Sequence, residues 1–323
     1  MTESELRDSY EAQKPFLLAW GEFVKSHIVG QLIQNNENPN VLFKVPPITR
    51  VKETGSFLEK ALYRDKHYQD PLNEITDRVG LRFVVLCVDE ISKVGSIIQA
   101  SALWIHSKDR DFEEERDAKP ELFTYQSVHY IIRSNNDISC GDIVIPANTP
   151  CEIQIRTLLQ HAYAELSHDI VYKSTEAIPI GLKRKFARSM ALIEATDELF
   201  KEVKGMLIVE DEKFTELISA LKPHTLTYEY NERLNKFLYS AYMRCTEEGR
   251  ITAEILRFIE KNKYLEDRVK SADESNLLIR KQPIVYMLYY LAQKMKYQFQ
   301  DLWPLTEVEL EPLLNDIGIS LDN

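Results

Sequence analysis

Residues Cys151 to Lys173 change their periodicity part-way, and that change constrains the fold more than any other stretch of the chain. In the first part, Glu152, Gln154 and Arg156 alternate with Ile153 and Ile155. A side-chain period of two belongs to a half-buried strand, with an acid, an amide and a guanidinium on one face and two isoleucines turned to a core. The period then becomes helical. Leu159, Ala162, Tyr163, Leu166 and Ile170 form the expected buried stripe, and His161, Glu165 and His168 fall three or four apart on another side. A strand end with acid, amide and arginine, leading into a helix with histidines and acid, suits an anionic ligand and a metal. The plainer reading is a half-buried strand with a solvated face, and the other segments decide between the two.

A length of 323 residues accommodates two domains, and 44% hydrophobic residues supply material for real cores. With only ten glycines there is little room for long flexible linkers. A formal net charge of -11 weighs against broad, sequence-independent binding to nucleic acid, which depends on neutralising phosphates. A local basic pocket is compatible with that charge. Cys87, Cys140, Cys151 and Cys245 form no CxxC pair and no metal-ligand spacing, and Cys87, in the apolar run Phe83 to Val88, is expected to be a buried free thiol. The expected setting is a reducing cytoplasm. The polar start MTESELRDSYEAQK lacks a secretory apolar core, and no apolar run approaches the roughly 18–20 residues that span a bilayer. The expectation is a soluble, intracellular chain with no membrane partner.

The pattern predicts a long helix over about 4–34, a strand at Ile48 to Lys52 and a helix at Ser56 to His67. Val79 to Val88, almost continuously apolar, reads as a central strand and Ile91 to Ile105 as the helix after it. Ser107 to Glu121 is charged and reads as a loop. Tyr125 to Arg133 and Pro150 to Arg156 are further strands. Strands separated by helices predict a mixed sheet with helical cover. Beyond Lys173 only helical periodicity remains, near 181–205, 211–221, 228–247, 250–262 and 283–300. The expected domains are therefore 1–180 and an all-helical 181–323. Tyr228, Tyr230, Tyr239, Tyr242, Tyr286, Tyr289, Tyr290 and Tyr297 of the second domain line either a partner surface or, as aromatics at helical spacing more often do, a core.

Four segments place polar residues where strands end. Arg50 and Lys52 share a strand face, and Ser56 and Lys60 share a helix face, so three cations and a hydroxyl are available to a polyphosphate. Gly55 and Ser56 at the helix start add backbone N–H donors. Asp77 precedes the apolar strand that carries Gly80 and Arg82. Paired with Glu152 on another strand, it is the minimum equipment for Mg²⁺ held through a nucleotide's phosphates; alone, it caps a turn. Tyr125, Ser127 and His129 recur every second residue, which suits stacking on a base or an exposed sheet face. The fourth segment is the Glu152–Gln154–Arg156 strand.

Taken in order, Arg50-x-Lys52-x-x-x-Ser56-x-x-x-Lys60, Asp77-x-x-Gly80-x-Arg82, Tyr125-x-Ser127-x-His129 and Glu152-x-Gln154-Ile155-Arg156-Thr157, with the helix ending Tyr172-Lys173, resemble the synthetase domain of the RelA/SpoT family. The resemblance spans about residues 40–175. It implies an α+β fold of the nucleotidyltransferase type, a mixed sheet flanked by helices, and an enzyme moving the β,γ-diphosphate of ATP to the 3′-hydroxyl of GDP or GTP. It further implies that Arg50 stacks on adenine and that Lys52, Ser56, Lys60 and Arg82 hold the donor phosphates. Asp77 and Glu152 would carry Mg²⁺, with Glu152 helping to deprotonate the attacking hydroxyl. Tyr125 would stack on the acceptor base, with His129, Gln154, Arg156 and His161 around the acceptor.

The chain departs from the family pattern before Tyr125. A basic stretch with Asn-Gly is replaced by Ala118 to Thr124, behind the acidic run Asp111 to Asp117, and Lys119 is the main cation left for the acceptor's 5′-phosphates. This opens a second reading, a toxic family member that modifies adenine nucleotides or the tRNA 3′ end and is restrained by its C-terminal domain or a separate antitoxin. Net acidity disfavours a large tRNA surface. His168-Asp169 lies inside the synthetase helix, and the residues before Arg50 are too few for the family's hydrolase domain, so no alarmone hydrolysis is expected. A reading of another class, a non-catalytic nucleotide sensor, has against it the intact acid pair and donor-side cations. Residues 181–323 are left to oligomerisation or to a regulatory partner.

Overall fold

The computed structural model describes residues 2–64, 67–123, 127–173, 179–225, 230–243, 251–270 and 277–320, with side chains in the helix after Thr157 described as far as His168. The chain divides into two compact units, residues 1–203 and 204–323.

The first unit opens with α1 (Glu3–Gln34), started by a capping box between Thr2 and Glu5. Its buried stripe of Leu6, Tyr10, Leu17, Trp20, Val24, Ile28 and Leu32 follows helical spacing. The chain continues through α2 (Pro39–Leu42), β1 (Thr49–Val51), α3 (Thr54–Leu62), α4 (Pro71–Glu74), β2 (Val79–Val85) and α5 (Val88–Ala100). Then come β3 (Trp104–Arg110), α6 (Phe112–Ala118), β4 (Val128–Ser134), the hairpin β5 (Ile138–Cys140) and β6 (Ile143–Ile145), β7 (Pro150–Thr157), α7 (Leu158–Lys173) and α8 (Ile180–Leu221). Five strands form one mixed sheet in the order β1-β2-β7-β4-β3, in which only β2 and β7 are parallel. Leu81, Phe83, Ile153, Ile155, Tyr130 and Ile132 face a core shared with Trp20 and Val24 of α1 and Val94 and Ile98 of α5. On the other face, Arg82 of β2, Gln154 of β7, His129 of β4 and Arg110 of β3 stand in one register row. The sheet is therefore apolar on one side and polar on the other, as the alternation along each strand requires.

The second unit is helical among its described residues: α9 (Glu232–Met243), α10 (Ile251–Lys261), α11 (Tyr264–Lys270), α12 (Val285–Lys294), α13 (Lys296–Asp301) and α14 (Glu307–Asp316), with the C-terminal part of α8. Tyr239, Tyr242, Tyr286 and Tyr289 are buried in its core, whereas Tyr297 is exposed and Tyr228 lies outside the described residues. The tyrosines at helical spacing are thus mainly packing. Buried Asp316 accepts from the Tyr289 hydroxyl at 2.6 Å and from Arg280 at 2.8 Å, which satisfies a carboxylate that could not otherwise stay inside. Among the described residues, no helix is long and apolar enough to cross a membrane.

Several sequence expectations need correction, among them the helix read as Ile91 to Ile105, which ends at Ala100 and leaves Trp104 and Ile105 to β3. The charged stretch read as a loop contains β3 and α6. β3 is a sheet edge with side chains from Ile105 to Asp109 exposed, so it has no apolar alternation to betray it. The middle place in the sheet belongs to β7, and β2 is interior but one strand from the edge. The helical segments near 181–205 and 211–221 are one helix, which Gly205 does not interrupt. On α7 the buried line is Gln160, Tyr163 and Ala164; Ala162 and Leu166 are exposed, Leu159 is half-buried, and the Ile170 side chain lies outside the described residues.

Candidate active site

Lys52 leaves β1 held from two sides. Its N–H donates to the Arg78 carbonyl at 2.8 Å, extending the β1–β2 ladder, and its carbonyl accepts from the Tyr10 hydroxyl at 2.7 Å. The Tyr10 ring is fully buried and stacks on Phe57 of α3, with centroids 4.0 Å apart. So α1, β1 and α3 are tied together beside the site. The Lys52 ammonium lies 2.6 Å from Asp77 Oδ2, and that of Lys60, one helical turn beyond Ser56, lies 2.9 Å from Asp77 Oδ1. Burial alone would push the Asp77 carboxyl up, but the two ammonium groups outweigh it and hold it below the usual carboxylate range. Asp77 is therefore an ionised acid between two cations. Ser56 is half-buried in the first turn of α3, where no side chain caps the helix. The unused backbone donors of that turn remain available to an anion.

A polar line crosses the same face from β4 to β7. The Ser127 hydroxyl and His129 Nε2 are 2.6 Å apart, and His129 Nδ1 is 3.3 Å from Glu152 Oε1. Glu152 Oε2 accepts from Gln154 at 3.2 Å, and Gln154 Oε1 accepts from Arg156 at 2.6 Å. Gly80 stands in register between Arg50 on β1 and Glu152 on β7, so no side chain separates them there. Arg50 itself is exposed. Arg82 Nη1 donates to Glu165 of α7 at 2.8 Å, and His161 Nδ1 lies 3.5 Å from the same oxygen. Burial first, then the Arg156 and Arg82 guanidinium groups, push His161 below the ordinary imidazole range, against the opposing pull of Glu165. The neutral ring is favoured.

The predicted residues thus fall into three connected sets: Lys52, Lys60 and Asp77; His129, Glu152, Gln154 and Arg156; Arg82 and His161 through Glu165. Asp77 precedes β2 and Glu152 lies near the start of β7, its parallel neighbour. Tyr125 lies outside the described residues. No group of three or more potential ligands converges among the described residues. Two hard carboxylate donors, one of them held ionised, fit Mg²⁺ in the form where substrate phosphates and water supply the remaining ligands. Tyr10 has no motif to announce it, since its part is to hold a backbone carbonyl.

The family described as the region found in RelA / SpoT proteins matches residues 49–177, which include every residue of these three sets. GTP pyrophosphokinase YjbM of Bacillus subtilis (strain 168) is 30% identical over 161 residues, 48% of this chain and 70% of that protein. The chain belongs to the RelA/SpoT family. Among solved structures, small alarmone synthetase 1 from Bacillus subtilis aligns with a TM-score of 0.51 at 23% identity, over 62% of this chain and 98% of that one. A GTP pyrophosphokinase family protein from Streptococcus pneumoniae aligns with a TM-score of 0.50 at 24% identity, over 62% of this chain and 94% of its own. These likenesses show a shared fold, a mixed sheet with helical cover.

Proposed function

We propose that this chain transfers the β,γ-diphosphate of ATP to the 3′-hydroxyl of GDP or GTP and works in the cytoplasm, where these nucleotides are. The observation that carries the reading is Asp77, ionised between Lys52 and Lys60 beside the strand that pairs with Glu152. Phosphoryl transfer needs alignment and charge neutralisation more than covalent chemistry from the protein. The 3′-oxygen attacks the β-phosphorus, the bond to the α,β-bridging oxygen breaks, AMP leaves, and the hydroxyl proton passes to Glu152 or water. Lys52, Lys60, Ser56 and Arg82 hold the donor phosphates, and exposed Arg50 lies against the adenine. Asp77 and Glu152 would hold Mg²⁺, which when bound neutralises charge on the transferring group. Tyr125, His129, Gln154, Arg156 and His161 receive the acceptor.

One observation favours a variant acceptor. Before Tyr125, Lys108 pairs with Asp111 at 2.6 Å and Arg110 with Glu115 at 2.7 Å, so α6 neutralises cations that a 5′-polyphosphate would use. An adenine nucleotide or a tRNA 3′ end is the second reading. Incubation with γ-labelled ATP, Mg²⁺ and separately GDP, GTP, ADP or deacylated tRNA tests both. Label on GDP or GTP is expected; label on ADP or tRNA alone would establish the second reading. Asp77→Asn and Glu152→Gln should each lower turnover on the order of a hundredfold or more while leaving the circular dichroism spectrum unchanged. Full activity in either variant would overturn the assignment of the two acids.

A further inference from the structure

Helix α8 reaches the acceptor side of the site through a buried polar contact. Asp197 of α8 is 2% exposed, and its Oδ2 accepts the Thr157 hydroxyl at 2.7 Å. Thr157, itself fully buried, ends β7 and caps α7. Its Oγ1 accepts from the Gln160 N–H at 3.1 Å, and Gln160 Oε1 accepts from the Thr157 N–H at 3.0 Å. This is a capping box enclosed in the interior. A threonine hydroxyl has one proton; with the Gln160 amide on a lone pair and the proton on Asp197, the cap cannot rotate. Arg156 precedes Thr157, and His161 follows in the first turn of α7.

Further contacts join α8 to α7 and to α6. The Phe186 ring of α8 meets the Tyr163 ring of α7 edge-on at 5.7 Å, so the helices run antiparallel, Thr157 to Tyr163 against Asp197 to Phe186. Glu194 and Glu198, one helical turn apart on α8, lie 3.7 and 3.4 Å from Arg116 of α6, the helix that leads towards Tyr125. Those pairs are partly exposed and weak singly; the Asp197 contact is enclosed. An apolar side chain would fill the Asp197 position without the cost of burying a carboxyl, so the contact is the feature that asks for an acid there.

We propose that Asp197 is a positioning residue for the acceptor: through Thr157 it fixes the β7–α7 junction, and with it Arg156 and His161, relative to the transferring group. The proposal rests on the acceptor assignment given above. Lys52, Asp77 and Lys60 lie on other elements, and Arg82 pairs with α7 through exposed Glu165, so loss of the contact acts on the acceptor more than on ATP.

The test uses the full chain with GTP and ATP varied separately. Asp197→Ala should raise KM for GTP on the order of ten- to a hundredfold with a much smaller change in KM for ATP. Asp197→Asn, whose amide oxygen still accepts from Thr157, should restore most of the GTP value. Hydrogen exchange should quicken at amides of residues 158–161 in the alanine variant and stay slow in the asparagine one. Asp197→Leu, which fills the space without accepting, replaces alanine if that variant does not fold. Equal rises in both KM values, an asparagine variant no better than alanine, or unchanged exchange would each overturn the proposal. A wild-type chain that labels neither GDP nor GTP would sink the functional reading instead, and exchange at 158–161 would then decide the positioning role alone.

Discussion

Asp77 and Asp197 are both at least partly withdrawn from water, and their carboxyls shift in opposite directions, because the partners outweigh burial at Asp77 and burial outweighs the partner at Asp197. Asp77 has two ammonium groups and is held ionised. Asp197 has only a hydroxyl, and burial pushes its carboxyl up to about 6 from the ordinary 3.8, with the Thr157 bond pulling the other way. Between those values the folded chain binds a proton at Asp197 that the unfolded chain releases. Its contribution to stability is therefore full below the unfolded value and is lost as pH rises through the folded one. Thermal midpoints at about pH 5 and about pH 8 should show the wild type losing ground to Asp197→Asn as pH rises. A difference between the two proteins that is constant with pH would contradict the raised value. The site's strand residues were legible because a period of two shows which side chains share a face: Glu152, Gln154 and Arg156 do form one line. Asp197 was not legible. It is a single acid in a helix far along the chain, and its meaning depends on a contact with Thr157 across 40 positions.

Helix α1 meets the sheet closely at Gly21, where a Cβ would stand 2.3 Å from Thr49 Cγ2 and 3.0 Å from Val79 Cγ2. Gly21→Ala must displace the Thr49 side chain or move α1 away from β1 and β2. It should cost about 1–3 kcal/mol by denaturant unfolding. Gly30→Ala in the same helix meets nothing within 4 Å, and should gain up to roughly 1 kcal/mol from helix propensity. Equal behaviour of the two variants would mean that the close approach is not a packing constraint. Elements with a clear period, α1, β2, β4 and β7, could be read from sequence to within a few residues. What failed was β3, an edge strand exposed along most of its length, and α6, an acidic helix with only Phe112 buried. Neither shows a hydrophobic rhythm, and both are fixed by neighbours: β3 by its ladder to β4, α6 by its pairing of Glu115 with Arg110.

At the scale of the molecule, the domain boundary expected near residue 180 and the division into compact units near residue 203 are different boundaries. Residues 180–203 are helical yet pack with the first unit: Phe186 against Tyr163, a fully buried Met190, and Asp197 against Thr157. Composition changes where the sheet ends, while packing continues as long as α7 needs a partner. We propose that the catalytic unit includes these residues and that 204–323 is a separate regulatory or oligomerisation unit. A chain ending at Val203 should unfold cooperatively and transfer label to GTP with the KM for GTP of the full chain. A chain ending at Pro179 keeps every motif residue but leaves Tyr163 and Thr157 without their α8 partners. It should unfold at a lower temperature and lose acceptor affinity before donor affinity. Higher turnover in the 203-residue chain than in the full chain would identify restraint by the second unit; equal turnover with a smaller mass by light scattering would identify assembly. If the two truncations behave alike, residues 180–203 add nothing to the catalytic unit, and the boundary belongs near residue 180.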